Sequence, residues 1–308
     1  MSKLLTITTG GTIFQKEVSG KMEIALSAQE LIDLTDFSGD VEFFATGKEP
    51  GSEMIFETLI SIKEKIVTEI DNYDGIVLIT GTDSMEEVAY SLDLLLDVAK
   101  PVVVTGAMKP SDITGYDGIA NYSGALKIAA SRQSNNKGVL VYLNDSIHLA
   151  RYVRKDDSTL IGSFRSHPGP IGETRCNEVI YYYDTITRTK TYNNLDHERL
   201  YSIKVPIWTM TVSPHLPEEY LEGIDGLVIA GMGTGSIANR LIDYLSESWT
   251  RRIPIILSSR CQVGLSYDDF YYKGSREKYE SKGFRLYEYR ECNPLQARLR
   301  LCFDICSH

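Results

Sequence analysis

Four apolar runs rich in β-branched residues, Leu4 to Thr8, Gly75 to Thr80, Pro101 to Gly106 and Val139 to Leu143, are separated by stretches whose apolar residues recur at helical spacing. A strand that alternates apolar and polar residues can leave one face in water, but a continuously apolar strand must be covered on both. Helices between such strands supply that cover, so the pattern predicts an α/β fold in which a mostly parallel sheet is flanked by helices. The helix after Thr82 is the clearest. Met85, Val88, Ala89, Leu92, Leu95 and Leu96 share one face, and Ser84 with Glu87 has the S-x-x-E spacing of a capping box.

The alternation breaks once. "TKTYNNLDHERLY", from Thr189 to Tyr201, is polar, rich in turn formers and without a period. It reads as a linker over residues 191–202, between a larger amino-terminal domain, 1–190, and a smaller carboxy-terminal α/β domain, 203–308. In the latter, "GIDGLVIAGMGTGSIANRLIDYL" gives a strand, a glycine turn and a helix, and "IPIILSSR" a further strand. Neither "GMGTGS" nor the early "TGG" has the spacing of a dinucleotide fingerprint or a P-loop.

Several functional classes drop out on composition. With 32 basic against 42 acidic residues among 308, the formal charge of −10 repels a phosphate backbone, which argues against nucleic acid as a partner. No apolar run approaches the roughly 18 residues that cross a bilayer, so no membrane partner is expected. The first strand begins by Leu4, too early for a charged and apolar leader, so the expected location is cytoplasmic. Cys176, Cys261, Cys292, Cys302 and Cys306 are odd in number and lack C-x-x-C pairs, and no two histidines stand at i, i+4. Free thiols, and no metal, are the expectation.

Three strand ends carry hydroxyls or charge beside glycine: "TTGGT", "ITGTDSMEE" and "VTGAMKPSD". Open α/β sheets bind ligands beyond the carboxyl ends of their strands. Thr12 is thereby a candidate nucleophile on a glycine turn, needing a base to remove its proton. Thr82 and Asp83 precede a helix amino end, where backbone N–H groups favour a developing oxyanion. Taken singly, Thr12 also reads as a turn residue, Asp83 or Ser84 as a helix cap, and Lys155 in "ARYVRKDD" as a solvated charged turn.

In order along the chain, "TTGGTI", "GIVLITGTDSMEEVAYSLDLLL", "KPVVVTGAMKPSD", "GVLVYLNDSIHLARYVRKDD", "GMGTGSIANRL" and "NPLQARLRL" together resemble the bacterial-type L-asparaginase and glutaminase family. The resemblance implies hydrolysis of a small-molecule amide, L-asparagine before L-glutamine, through an acyl-enzyme on threonine, without cofactor or metal. It implies that Thr12 is the nucleophile, that Thr82 and Lys155 form a triad with Asp83, and that Asp83 binds the substrate α-ammonium. Ser52, in "EPGSEM", resembles the serine that holds the α-carboxylate, and the amides of "TTGGT" with Gly11 and of "GTDS" with Thr82 fit oxyanion donors. A homodimer or homotetramer is implied, with sites at the dimer interface.

Two departures stand out. The family places a tyrosine on the loop after the nucleophile, and none of the 19 tyrosines falls from Ile13 through Leu34. Glu17, Ser19 and Glu23 are the loop groups that could replace it, or a tyrosine reaches in from elsewhere. The family also contributes an asparagine and a glutamate from a neighbouring subunit. Here Thr234 and Ser236 stand at the first place, and Asp268 or Asp269 near the second. The alternatives these departures leave open are an amidohydrolase for a different or modified amide, including an ammonia supplier for tRNA-dependent amidation, and a catalytically weak protein that binds asparagine or aspartate.

Overall fold

In the computed structural model, which describes residues 1–46, 51–183, 191–267 and 271–307, the apolar runs form the middle of a sheet. Along the chain come β1 (Lys3–Thr8), β2 (Gln15–Val18), β3 (Lys21–Ile24), α1 (Ala28–Asp33), β4 (Asp40–Ala45), α2 (Phe56–Glu69), β5 (Gly75–Ile79) and α3 (Met85–Leu95). They are followed by β6 (Val102–Thr105), α4 (Gly118–Ala130), β7 (Val139–Leu143), β8 (Ser146–Leu149), β9 (Val153–Lys155), β10 (Phe164–Ser166), β11 (Gly172–Arg175) and β12 (Glu178–Tyr181). Eight of these strands make one sheet in the order β12-β11-β8-β7-β6-β5-β1-β4.

Every residue of β5, β6 and β7 is buried. Successive side chains of a strand point to opposite faces. Val77, Ile79, Val103 and Leu140 join one cluster with Tyr122, Ala125 and Ile128 of α4. The alternate residues Ile76, Leu78, Val102, Val104, Val139 and Val141 are buried too, toward the other face, where α3 packs on β6 and β7. Each such side chain contributes roughly 1.5–3 kcal/mol on burial, which is why these runs cannot occupy a surface. The strands β8, β11 and β12 join antiparallel. Their short sequences of mixed polarity did not announce them.

The parallel strands lie in the order β4-β1-β5-β6-β7. The chain leaves β1 for β4 on one side and returns to β5 on the other. That reversal opens a crevice at the carboxyl ends of β1 and β5, the place where a doubly wound sheet holds its ligand.

The chain divides into two compact units, Met1–Thr191 and Tyr192–His308. In the second unit come α5 (His197–Ser202), β13 (Ile207–Thr209), β14 (Leu227–Gly231), α6 (Asn239–Ser248), β15 (Ile255–Ser259), α7 (Ser275–Glu280) and α8 (Pro294–Cys306). β13, β14 and β15 form a parallel sheet in that order, over a separate apolar cluster that includes Ile229, Trp249 and Leu257.

The stretch read as a linker is ordered in its described part. Tyr192 is buried, its ring centroid lies 5.7 Å from that of Phe303, and its hydroxyl donates to Asp304 at 2.6 Å. The Asp196 side chain accepts from Arg199 N at 3.0 Å and caps α5, which packs on α8 through buried Leu200. Only two residues of the segment, Tyr192 and Leu200, are buried apolar anchors, too few to register as a period, so tertiary packing rather than local pattern makes this segment structured.

Candidate functional site

The carboxyl ends of β1 and β5 are tied together before either chain turns away. Thr9 N donates to Ile79 O at 3.0 Å, and Thr9 Oγ1 donates to Thr80 Oγ1 at 3.0 Å. The chain then leaves β1 through Gly10 at φ +98° and Gly11 at φ +108°, a backbone region that side chains rarely enter. Space is as restrictive as conformation. A Cβ on Gly11 would lie 3.0 Å from Gly81 N, and one on Gly51 would lie 3.1 Å from Gly81 Cα. Three backbone segments therefore meet at Gly81, and the residues that follow Gly11, Gly51 and Gly81 are Thr12, Ser52 and Thr82.

Thr12 opens a short turn, Thr12–Phe14, whose next two side chains, Ile13 and Phe14, are sunk in the sheet's apolar cluster. The threonine is half-buried on an anchored turn rather than on a free loop. Gly10 N donates to Thr8 Oγ1 at 3.0 Å, which removes that amide from the oxyanion donors and leaves Gly11 as the candidate of the "TTGGT" turn.

Lys155 is a strand residue, not the solvated turn its sequence also allowed. It ends β9, paired with Phe164 of β10, and only 14% of its side chain is exposed. Its Nζ donates to Thr82 Oγ1 at 3.0 Å and to Asp83 Oδ1 at 2.9 Å. Thr82 is buried, whereas 71% of the Asp83 side chain remains open. The three groups are thus gathered with graded access: a covered lysine and threonine, and a carboxylate that faces outward.

The start of α3 differs from its expected form. Ser84 adopts φ −108°, ψ 2°, makes no side-chain cap bond, and its hydroxyl is buried without a partner among the described residues. A capping serine needs an extended backbone to aim its oxygen at the helix N–H groups, and Ser84 lacks it. The Glu86 carboxyl lies near the backbone N–H of Lys155, which favours its charged form. Burial, then the charge of Glu87, pushes the Glu86 carboxyl up to about 7.

Ser52 sits exposed on the turn Gly51–Glu53. Glu17, Ser19 and Glu23 lie on the hairpin of β2 and β3, where Glu17 and Glu23 pair with Met22 and Lys16. In the second unit, Thr234 and Ser236 lie in the tight turn after β14, closed by Met232 N donating to Ser236 O at 2.9 Å. Asp268 and Asp269 lie outside the described residues. Nothing in the sequence assigned a role to Tyr116, yet its hydroxyl donates to Ile13 O at 2.6 Å, one residue from Thr12. Only its place just after "VTGAMKPSD", itself a strand-end motif, could have drawn notice.

Residues 3–187 match the family described as "Asparaginase, N-terminal", and residues 207–303 match "Glutaminase/Asparaginase C-terminal domain". Fold and matches define a hydrolase that acts on amides. Its relatives include L-asparaginase 2 of Escherichia coli (strain K12), 29% identical over 98% of this chain and 88% of that protein. Probable L-asparaginase 1 of Schizosaccharomyces pombe is 30% identical over 93% of this chain and 78% of that one. The crystal structure of a probable cytoplasmic L-asparaginase from Campylobacter jejuni superposes with a TM-score of 0.84 at 30% identity, covering 99% of this chain and 95% of its own. The chain belongs to the asparaginase family.

Proposed function

We propose that the protein hydrolyses the side-chain amide of L-asparagine, with L-glutamine as second substrate, through an ester formed on Thr12. The supporting observation is Lys155 Nζ bonded to both Thr82 and Asp83 beside the Gly11–Gly81 contact. Thr12 Oγ adds to the amide carbon, the C–N bond breaks, and the nitrogen leaves as ammonia with the threonine proton. A water molecule then adds to the ester while Thr82, held by Lys155 Nζ, relays its proton; the bond from the acyl carbon to Thr12 Oγ breaks, that oxygen takes up the proton, and aspartate leaves. The Gly11 and Thr82 amides receive the oxyanion of both steps. Asp83 takes the substrate α-ammonium with its open side, and Ser52 takes the α-carboxylate.

Ammonia release from L-asparagine, L-glutamine and carboxy-amidated short peptides, each offered separately, tests the reading. Release from asparagine is expected, and Thr12→Ala and Thr82→Ala are expected to abolish it with the circular dichroism unchanged. Full activity in either variant overturns the two-threonine mechanism. Release from an amidated peptide alone would favour the modified-amide reading that the missing loop tyrosine motivates. Assembly as a homodimer or homotetramer is part of the proposal, and light scattering after gel filtration should return a multiple of the chain mass. So is a cytoplasmic location, the one named for the Campylobacter jejuni protein, which cell fractionation would test.

A further inference from the structure

The turn that carries Thr12 is held on its downstream side by a second loop, residues 106–117 between β6 and α4. Tyr116 Oη donates to Ile13 O at 2.6 Å. Ser111 donates to Gln15 O twice, from its N at 2.8 Å and from its Oγ at 2.9 Å. Glu17 N donates to Asp112 Oδ2 at 3.2 Å. Four hydrogen bonds to one loop thus grip residues 13–17, and the one nearest Thr12 is the phenol's.

That loop is itself fixed. The buried Asp117 carboxylate accepts Met108 N at 3.0 Å, Lys109 N at 3.0 Å and Asn121 Nδ2 at 2.8 Å. Asn121 Nδ2 also donates to Gly106 O at 2.9 Å, and Asn121 Oδ1 accepts Asn144 N at 3.0 Å. The phenol has a prepared seat, because a Cβ on Gly118 would fall 2.2 Å from Tyr116 Oη. Burial raises the phenol's pKa, so it remains a donor through the neutral range.

We propose that Tyr116 is a positioning residue that sets the Thr12 hydroxyl by fixing the Ile13 carbonyl, in a chain whose nucleophile loop has no tyrosine of its own. The proposal rests on the reading of Thr12 as nucleophile. Gly10 and Gly11 supply the required backbone turn but no side chain to hold it. Beyond Thr12, the apolar seats of Ile13 and Phe14 and the hydrogen bond from Tyr116 act together to hold the turn. A displacement of about 1 Å at a reacting group can lower a rate by roughly 100-fold, so a single well-placed bond of this kind reads out in turnover.

Tyr116→Phe removes the hydroxyl and keeps the ring in its seat. For asparagine hydrolysis, kcat is expected to fall about 10- to 100-fold while KM moves less than about threefold, because the substrate's own contacts are untouched. Amide exchange over residues 10–18 is expected to quicken, with the thermal midpoint near wild type. Ser111→Ala, which leaves the Ser111 N–H bond to Gln15 in place, is expected to keep kcat within about threefold and separates positioning at Tyr116 from general loosening. Wild-type kcat in Tyr116→Phe overturns the proposal, whatever the exchange shows, and so does an equal loss in Ser111→Ala. If the wild type releases no ammonia from any amide, the functional reading has failed on its own account. Exchange then decides the clamp: quickening in Tyr116→Phe upholds the hold on the Ile13 carbonyl, and unchanged exchange removes it.

Discussion

At the scale of single residues, environment decides what a group can do. Thr12, Thr82, Asp83 and Lys155 were candidates only in combination: each taken singly also reads as a turn, cap or solvated residue, and it is the motifs in order along the chain that set them apart. Glu86 was not among them, since nothing in "SMEE" tells which of two glutamates faces the backbone of Lys155. His148 shows the same dependence on surroundings. It lies in β8 at 3% exposure, with Nδ1 2.7 Å from Ser166 Oγ, and burial pushes its pKa down to about 4. The unfolded imidazole titrates near 6.5. Between these values the unfolded chain binds more protons than the folded one, so stability is full above pH 6.5 and declines as pH falls toward 4. The loss at pH 5 from this residue should be about 2 kcal/mol. His148→Gln, which cannot titrate, should show a smaller drop in urea midpoint between pH 7.5 and pH 5 than the wild type does, and an equal drop would remove the assignment.

At the scale of elements, continuous apolar strands were readable and short mixed ones were not. β5, β6 and β7 declare themselves because both faces must be dry. β8, β11 and β12 read "SIHL", "GETR" and "EVIY", four residues each, and their pairing comes from neighbours in the sheet rather than from local pattern. Helix α3 shows its apolar face in the sequence but not its cap, because spacing records which residues could bond and not the backbone angle that lets them. The difference is measurable. Loss of a true capping serine costs about 1 kcal/mol. The Ser84 hydroxyl is buried without a partner among the described residues, so Ser84→Ala is expected to leave stability unchanged or to raise it by up to about 1 kcal/mol, since an unmade hydrogen bond is then no longer enclosed. Equilibrium urea unfolding checks this, and a loss near 1 kcal/mol would restore the cap.

At the scale of the whole molecule, two α/β units were readable from the resumption of strand and helix signals after a polar interval, whereas the interval's own structure was not. Tyr192 and Leu200 owe their burial to α8, roughly a hundred residues away in sequence, which no local window can see. The two apolar clusters share no residue: Leu140 belongs to one and Leu257 to the other, and neither is exposed. Truncating either to alanine leaves a cavity and should cost about 2–5 kcal/mol. Because distinct sites without shared partners add, the double variant Leu140→Ala with Leu257→Ala should lose the sum of the two within about 0.5 kcal/mol. Both tryptophans, Trp208 and Trp249, lie in the second unit, so their fluorescence follows that unit while far-UV circular dichroism follows the whole chain. At one fixed protein concentration, since assembly would shift any midpoint, additive losses in both signals are expected. A double variant that loses much more or much less than the sum would mean that the two positions are energetically coupled.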